Sequence, residues 1–385
     1  MPQNEPKLPV AMVDLSGNEE KYAVDAIRST WISSSGAYLE RFEREFAELC
    51  ETRTALAVCN GTVALHLALL GLDIRPGDEV LVPSLTYVAT ANAVRYCGGE
   101  PVFVDVDPKT WCIDPDRMED AITQRTKGII AVHLLGHPAD MDRINHVAAV
   151  NGLWVVEDAA EALGATYKGR PVGGLAKMAT FSFFGNKTIT CGEGGAVTLS
   201  DDQMATRLRA LRGQGMDPNR RYYFPITGYN FRLTNLASAI LCGQLERIDD
   251  IFSRRKAIFD NYNHMLGGVA GIELQPVAPW ASISPWMYAC AINEAEFGCS
   301  RNEVIAGLAK RGIETRPMFI SLHTLPPFRE NSRRRGEVLP VTQRLSDAGI
   351  MLPTYTNLTE AEQARVVAAI RDTQRESSSR LLRAA

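Results

Sequence analysis

The chain has 385 residues, with 41 lysines and arginines against 45 aspartates and glutamates, and a formal net charge of −4. Nucleic-acid binding needs a concentrated basic surface, and this balance does not favour it. Hydrophobic residues make up 45% of the sequence and charged residues 22%, which is ordinary for a globular protein with a sizeable core. The length is comfortable for two domains.

The eight cysteines are scattered along the chain and include no Cys-x-x-Cys pair. Most lie in apolar runs, where cysteine behaves as a small hydrophobe, so we expect neither a metal site nor a disulfide frame. The first residues are polar and lack the basic start and apolar core of a signal peptide. No apolar stretch approaches the length that spans a bilayer, so we expect a soluble, cytoplasmic protein.

In chain order, the first helix is predicted to begin at Ser16, because Ser16 and Glu19 have the spacing of a capping box. From about residue 55 to 200, seven short apolar runs alternate with helix-like stretches. Runs this apolar are typical of strands buried on both faces, so we predict a largely parallel α/β sheet. Ligands of such sheets collect beyond the carboxyl ends of the strands.

A long, charged helix is predicted from about 235 to 257, and two further helical patterns lie near 302–312 and 359–371. Strand-like runs are fewer in this part of the chain, which predicts a smaller α+β domain. We therefore divide the chain into four parts: an N-terminal arm with the first helix (1–30), a large α/β domain (31–250), a small C-terminal domain (251–372) and a polar tail (373–385).

Gly61 and Thr62 follow Asn60 at the turn from the first apolar run into a helix. A glycine there lets the backbone approach a ligand closely, and the N–H groups of a helix start favour an anion. The Thr62 hydroxyl adds a further donor. A plain capped helix would show the same sequence, so this turn alone leaves both interpretations open.

Asp158 ends the apolar run LWVVEDA, and a carboxylate at that position is unfavourable unless it has a partner. A metal, a basic side chain or the protonated ring nitrogen of a cofactor would each serve, as would a structural ion pair. Glu161 lies three residues further on and either enters the same site or begins a helix.

The stretch FSFFGNKTITCGEGG carries Ser182 at a strand end and Lys187 five residues later. Aromatic and β-branched neighbours deprive the Lys187 amine of hydration, which lowers the pKa of an amine and suits a Schiff-base nucleophile. Tyr87 follows another strand end, where its ring could stack on a flat heterocycle or be simply half-buried. Asn230 lies in an aromatic-lined turn, where a cap or an Asx-turn is the alternative to a ligand contact.

Taken together, these stretches resemble the DegT/DnrJ/EryC1/StrS family of sugar aminotransferases, which are fold-type I enzymes of pyridoxal phosphate (PLP). The resemblance covers about residue 10 to 370. It rests on eight stretches that stand in the family's order and spacing: WISSSGAYLERFE, AVCNGTVALHLAL, DEVLVPSLTYVATANAV, PVFVDVDP, VVEDAAEALGA, FSFFGNKTITCGEGG, GYNFRLTNLASAI and ETRPMF. It implies a large PLP domain on a mostly parallel mixed sheet, followed by a smaller α+β domain.

The resemblance also implies a role for each matching residue. Lys187 matches the lysine that binds the cofactor covalently and then moves protons, and Asp158 matches the partner of the pyridinium nitrogen. Tyr87 matches the stacking position, and Glu161 a position near the ring hydroxyl that is often Gln or His elsewhere. The remaining matches are the phosphate cradle (Gly61, Thr62, Ser182) and an amide that reaches the cofactor phosphate of the neighbouring subunit in a homodimer (Asn230).

The implied reaction transfers an amino group from L-glutamate to a keto-sugar nucleotide. The stretches SFFGNKTIT and IETRPMF…HTLPPF look most like family members that convert GDP-4-keto-6-deoxymannose to GDP-perosamine. Contacts to the sugar nucleotide are then expected at Ser33, Ser34, Arg316 and His323, although loop packing would explain these residues equally well.

Four alternatives remain. Another keto-sugar nucleotide or a keto-inositol could be the acceptor, and a non-catalytic PLP-binding sensor would keep the same cofactor residues. A branch of the family that dehydrates sugars carries histidine in place of the lysine, and Lys187 argues against it. A nicotinamide-dependent oxidoreductase would need a G-x-G-x-x-G turn after an early strand, and the sequence contains none there.

Overall fold

A computed structural model describes residues 6–384 of the chain, with side chains as far as Ser377. Its helices are α1 (Glu19–Arg28), α2 (Ala37–Leu49), α3 (Gly61–Gly71), α4 (Ala89–Tyr96), α5 (Pro115–Ala121), α6 (Met141–Val150), α7 (Asp202–Arg212), α8 (Asn235–Leu245), α9 (Ile248–Leu266), α10 (Glu294–Phe297), α11 (Arg301–Lys310), α12 (Arg329–Arg335), α13 (Pro340–Ala348) and α14 (Glu360–Ala384). Two short 3-10 turns span Leu134–Gly136 and Leu322–Thr324.

The strands are β1 (Thr54–Val58), β2 (Glu79–Pro83), β3 (Glu100–Val104), β4 (Thr126–Val132), β5 (Trp154–Asp158), β6 (Thr166–Tyr167), β7 (Arg170–Pro171), β8 (Met178–Ser182), β9 (Gly195–Leu199), β10 (Ile272–Leu274), β11 (Ala281–Ser282), β12 (Ala289–Ile292), β13 (Arg316–Pro317) and β14 (Gly349–Met351). Each of the seven apolar runs in the sequence overlaps one strand of the large sheet.

The large sheet has seven strands in the order β1-β9-β8-β5-β4-β2-β3. Strands β8, β5, β4, β2 and β3 run parallel, whereas β9 is antiparallel to both of its neighbours. The prediction of a largely parallel α/β sheet is therefore confirmed. Its strands are almost wholly buried because helices cover both faces.

The pairing of the central strands fixes where the site lies. Asp158, the last residue of β5, is in register with Val132 of β4 on one side and Thr180 of β8 on the other. It therefore sits in the middle of the sheet, at the carboxyl edge that parallel strands share, where ligands of α/β proteins bind.

The C-terminal half has a second core of its own. It is built on an antiparallel sheet in the order β10-β12-β14-β13, flanked by α9, α11 and α14. Leu8, near the chain's beginning, forms a bridge with Ile313 and belongs to this core. The expected arm at 1–30 thus packs partly on the C-terminal unit; residues 1–5 lie outside the described part.

The first helix begins at Glu19, so the prediction of a start at Ser16 was wrong. The backbone N–H of Ser16 donates to the carboxylate of Asp14 at 3.1 Å, and the helix cap at Asn18 makes no side-chain bond. The local Asx interaction at Asp14 competes with helix formation at Ser16, which explains the later start.

The long helix predicted over 235–257 is two helices, α8 and α9. Arg247 leaves helical backbone angles, with φ −115° and ψ 13°, and its guanidinium pairs with Asp14 at 3.1 Å. The break redirects α9 into the C-terminal core, where Ile258 and Phe259 are buried.

The segment 373–385 was expected to be a polar tail. It is instead helical as far as Ala384, as the continuation of α14. Thr373 and Ser377 are buried, and Thr373 packs against Gly307 of α11 so tightly that a Cβ on that glycine would lie 2.5 Å from the Thr373 hydroxyl. Residue 385 lies outside the described part. Among the residues described, no helix is long and apolar enough to cross a membrane.

Candidate active site

A cavity of about 840 Å³ opens at the carboxyl edge of the large sheet, between it and the C-terminal unit. Eight of the residues singled out in the sequence line this cavity: Gly61, Thr62, Tyr87, Asp158, Glu161, Ser182, Lys187 and Arg316. They come from the ends of four strands and from the C-terminal unit, so only the folded sheet brings them together.

Asp158 is 5% exposed, and its carboxylate lies at the carboxyl edge of the sheet. Its Oδ2 accepts a 2.8 Å hydrogen bond from the hydroxyl of Thr90, and Oδ1 accepts a longer one of 3.3 Å from the backbone N–H of Ala160. Burial raises the pKa of Asp158, and the bond from Thr90 opposes that rise. A cation placed against this carboxylate would favour its charged form.

Lys187 is half-buried in the loop that follows β8, and its Nζ lies 4.0 Å from the centroid of the Trp286 ring. Burial lowers the pKa of Lys187, while the charges of Glu161 and Asp158 act in the opposite direction. Burial thus favours the neutral, nucleophilic amine that covalent catalysis by lysine requires.

Glu161 is also buried, with 5% of its surface exposed, and its Oε2 accepts a 2.8 Å hydrogen bond from the backbone N–H of Leu135. Leu135 holds a left-handed backbone conformation, φ 50° and ψ 35°, which a leucine adopts at a cost. Burial raises the pKa of Glu161 to about 7. Because Oε2 is engaged by an N–H, a proton on this carboxyl would reside on Oε1.

The start of α3 forms a concave set of N–H donors at the cavity wall. Asn60 caps the helix, its side chain accepting from the N–H of Val63 at 2.9 Å. The N–H groups of Gly61 and Thr62 belong to the first turn and have no partner within the helix. A Cβ on Gly61 would lie 2.7 Å from the Cβ of Ser182, so only glycine allows this turn to approach β8 so closely.

Tyr87 is 59% exposed although it follows the buried strand β2. Its ring lies 6.1 Å from that of Phe319, at an angle of 63°. A large aromatic ring left open at a cavity mouth is available to stack on a flat ligand.

Asn230, Ser33 and Ser34 do not line the cavity of their own chain. The Asn230 amide oxygen accepts from the guanidinium of Arg232, and Asn230 and Ser33 are exposed. Ser33 lies beside the start of α8, its carbonyl oxygen accepting from the N–H of Asn235 at 2.6 Å. The three residues thus belong to one region of the surface, around the turn that precedes α8.

The two other residues expected near the sugar nucleotide differ in placement. Arg316 lines the cavity and is exposed. His323 does not; its Nδ1 lies 2.8 Å from the hydroxyl oxygen of Ser84, which also accepts from the His323 backbone N–H at 3.1 Å. The His323 side chain therefore ties the C-terminal unit to the end of β2.

Sequence reasoning does not find two residues that shape this site, Thr90 and Trp286. A lone threonine in the first turn of a helix carries no signal of its own, although its position three residues after Tyr87 could have suggested a shared site. Trp286 lies just before β12, almost 100 residues from Lys187, and only the packing of the C-terminal unit brings the two together.

The donor set fits PLP. The buried carboxylate of Asp158 suits the protonated ring nitrogen, the amine of Lys187 suits the aldehyde, and the start of α3 suits the phosphate. The absence of a side chain at Gly61 lets this turn lie against Ser182, which brings two of the expected phosphate contacts together at the cavity wall.

Comparison with known proteins agrees with this chemistry. The model of the DegT/DnrJ/EryC1/StrS aminotransferase family matches residues 14–371. Two curated relatives named GDP-perosamine synthase, from Caulobacter vibrioides and Escherichia coli O157:H7, are 47% and 41% identical, each over 95% of this chain and 98% of the relative. The solved PLP form of Spr1654 from Streptococcus pneumoniae is similar with a TM-score of 0.88, at 28% identity, over 97% of this chain and 99% of that one.

Proposed function

The chain belongs to the DegT/DnrJ/EryC1/StrS aminotransferase family and uses PLP, and from this premise we propose that it aminates the keto group of GDP-4-keto-6-deoxymannose, with L-glutamate as donor, to give GDP-perosamine. One observation carries the proposal: Lys187 and Asp158 share a single cavity that is large enough for a nucleotide-linked sugar beside the cofactor. The choice of sugar rests on the two relatives that match nearly the full length.

In this mechanism, bound PLP supplies an electron sink for proton removal next to the amino group that is transferred. Asp158 would hold the proton on the ring nitrogen, and Thr90 keeps one carboxylate oxygen in place for that contact. Gly61, Thr62 and Ser182 would hold the phosphate, and the Tyr87 ring would cover one face of the heterocycle.

Lys187 is the group we propose for proton transfer at Nζ. When the amine is not bound to the cofactor, it would be free to accept and return a proton, and its position in the cavity lining would let it serve both halves of the reaction. Burial of the amine lowers its pKa, which favours the neutral form that accepts a proton.

The positions of Asn230, Ser33 and Ser34 support a homodimer with shared active sites. These residues resemble ligand contacts of the family, yet they lie on a surface outside their own cavity. The same surface exposes several large apolar side chains: Trp31, Ile32, Tyr222, Tyr223 and Phe224. Exposed apolar area of this kind is typical of a protein interface. A second copy docked there would bring Asn230 to the partner's cofactor phosphate.

The purified enzyme should be assayed with glutamate and a panel of keto-sugar nucleotides that differ in base and sugar, with products identified by mass spectrometry and NMR. We expect the highest kcat/KM for GDP-4-keto-6-deoxymannose. Preference for a dTDP- or UDP-linked sugar or a keto-inositol would refute the choice of substrate and leave the aminotransferase. If the protein binds PLP but the absorption spectrum of the bound PLP does not change when glutamate is added, a sensor would be favoured instead.

A further inference from the structure

Arg255 is a buried cation that faces no carboxylate. It lies on the inner face of α9, is 3% exposed, and burial lowers its pKa to about 10. Within the described part of the chain, no acidic side chain forms an ion pair with it. A charge held in the interior without an opposite charge is unfavourable, so Arg255 depends on other polar partners.

The partners of Arg255 are two consecutive backbone carbonyls. Its Nε donates to the carbonyl oxygen of Pro285 at 2.8 Å, and its Nη2 donates to that of Trp286. These bonds join α9 to the segment that enters β12. Because the guanidinium is planar and both bonds come from one edge of it, they fix the orientation of that segment as well as its distance.

Trp286 is fixed at its other end as well. Its indole Nε1 donates to the carbonyl oxygen of Asn186 at 2.9 Å, and the face of the ring meets Lys187 Nζ at 4.0 Å from the centroid. A cation over the face of an indole is stabilised, especially where water is excluded. The charged groups that face the same amine from the sheet edge are Asp158 and Glu161.

We propose that Arg255 is a positioning residue for the reaction at Lys187: by anchoring the carbonyls of Pro285 and Trp286 it keeps the Trp286 indole against the Lys187 amine. Arg255 touches neither the amine nor the cavity and acts through the tryptophan. The inference rests on the proposed role of Lys187 as the reacting amine. It is independent of the identity of the sugar.

Losing the contact with the indole should change the protonation of Lys187 Nζ. The indole face and the two carboxylates favour the protonated amine, whereas burial favours the neutral one. If the indole moves away, the balance shifts to the neutral form, and the pKa of Lys187 falls further. Substitution of Arg255 and substitution of Trp286 should therefore both lower the pKa of Lys187.

The test uses the enzyme loaded with pyridoxamine phosphate, in which Lys187 Nζ is free. The rate of acetylation of Lys187 is measured against pH by peptide mass spectrometry, with the exposed Lys177 as internal reference. We expect Trp286→Leu to lower the midpoint by about half a unit to one unit. Arg255→Met should lower it similarly, and the double variant should show no more than the larger single shift.

Arg254→Met is the matched control, because Arg254 precedes Arg255 on α9 but points outward and donates to Asn357 at 2.7 Å. It should leave the midpoint unchanged. Arg255→Gln, which keeps an uncharged amide donor, should give a smaller shift than Arg255→Met. If Arg255→Met does not fold, the midpoint of Arg255→Gln provides the test in its place.

An unchanged midpoint in the folded Arg255 variants would overturn the proposal, as would shifts that simply add in the double variant. Because no sugar is present, a failed substrate panel leaves this test standing. Failure of borohydride to fix the cofactor onto Lys187 in the PLP form would refute the role of Lys187 itself, and the positioning role would fall with it.

Discussion

Thr90 Oγ1 donates a 2.8 Å hydrogen bond to Asp158 Oδ2, although the two residues are 68 positions apart in the chain. The hydroxyl of Thr86 lies 3.3 Å from Thr90 Oγ1 and can donate to it, which completes a short buried chain of hydroxyls that ends on the carboxylate. The carboxylate in the middle of the sheet is thereby held in one orientation by residues that follow β2, a strand separated from β5 by β4.

Thr90→Val should weaken catalysis while leaving the fold intact, because valine has the same shape and no donor. A buried hydrogen bond to a charged group contributes about 1.5–3 kcal/mol, so we expect kcat/KM to fall on the order of tenfold to a hundredfold. Without the donor, the pKa of Asp158 rises further, so the acid limb of the pH–rate profile moves to higher pH. Thr86→Val, one hydroxyl further away, should give the smaller effect; equal effects would contradict this order.

Glu161→Gln should stabilise the cofactor-free protein at alkaline pH. The pKa of Glu161 is raised from 4.5 to about 7 in the folded protein, so the native state binds more protons than the unfolded state between these values. Stability therefore falls as pH rises through this window, by up to about 3 kcal/mol for this group. Glutamine removes that dependence.

The measurement for Glu161→Gln is the free energy of unfolding in urea at pH 5 and pH 8. The difference between variant and wild type should be larger at pH 8 and should favour the variant. Glu193→Gln serves as control, since Glu193 lines the same cavity but is exposed. A constant difference across the two pH values would show that Glu161 titrates normally.

Gly136→Ala should destabilise the protein strongly. Gly136 has φ +85°, and a Cβ there would lie 1.9 Å from the carbonyl oxygen of Ser284, so the backbone must shift. We expect a loss of about 2–4 kcal/mol in the free energy of unfolding, from the left-handed conformation together with the clash. Gly152→Ala is the control: it has φ +64° with nothing within 4 Å of the added carbon, and should lose only about 1 kcal/mol.

Mixing two impaired variants tests whether each active site contains residues of both subunits. Lys187→Ala should be inactive and Asn230→Ala strongly impaired. If Asn230 serves the partner's cofactor, a mixed dimer carries both lesions in one site and an intact second site, so unfolding and refolding the two together should restore part of the activity. Activity that stays at the level of the Asn230 variant after mixing would argue that each chain completes its own site. Sedimentation equilibrium should give a dimer for each variant alone.

Much of the site could be predicted because it sits at strand ends. Asp158 and Ser182 close apolar runs, and Gly61 and Tyr87 follow others, so the rule that parallel strands share a carboxyl edge already groups them. Glu161 and Lys187 follow within a few residues of those ends. The local sequence carries this information because buried parallel strands must be continuously apolar, and any polar residue at their end is conspicuous.

The C-terminal contribution could not be predicted in the same way. Arg254, Arg255 and Lys256 form one basic run that looks solvated throughout, and only packing turns Arg255 inward while its two neighbours remain exposed. The same holds for Trp286 over Lys187, since this pair joins segments far apart in the chain.

The sequence by itself determined the seven strands of the large sheet and the residues at their ends, because alternation of apolar runs and turns is a local property of the chain. Tertiary structure alone decided which side chains from the C-terminal unit close over the Lys187 amine. It also decided that Ser33 and Ser34 lie outside the cavity of their own chain. Contacts between distant segments depend on how whole elements pack, and no short stretch of sequence records that.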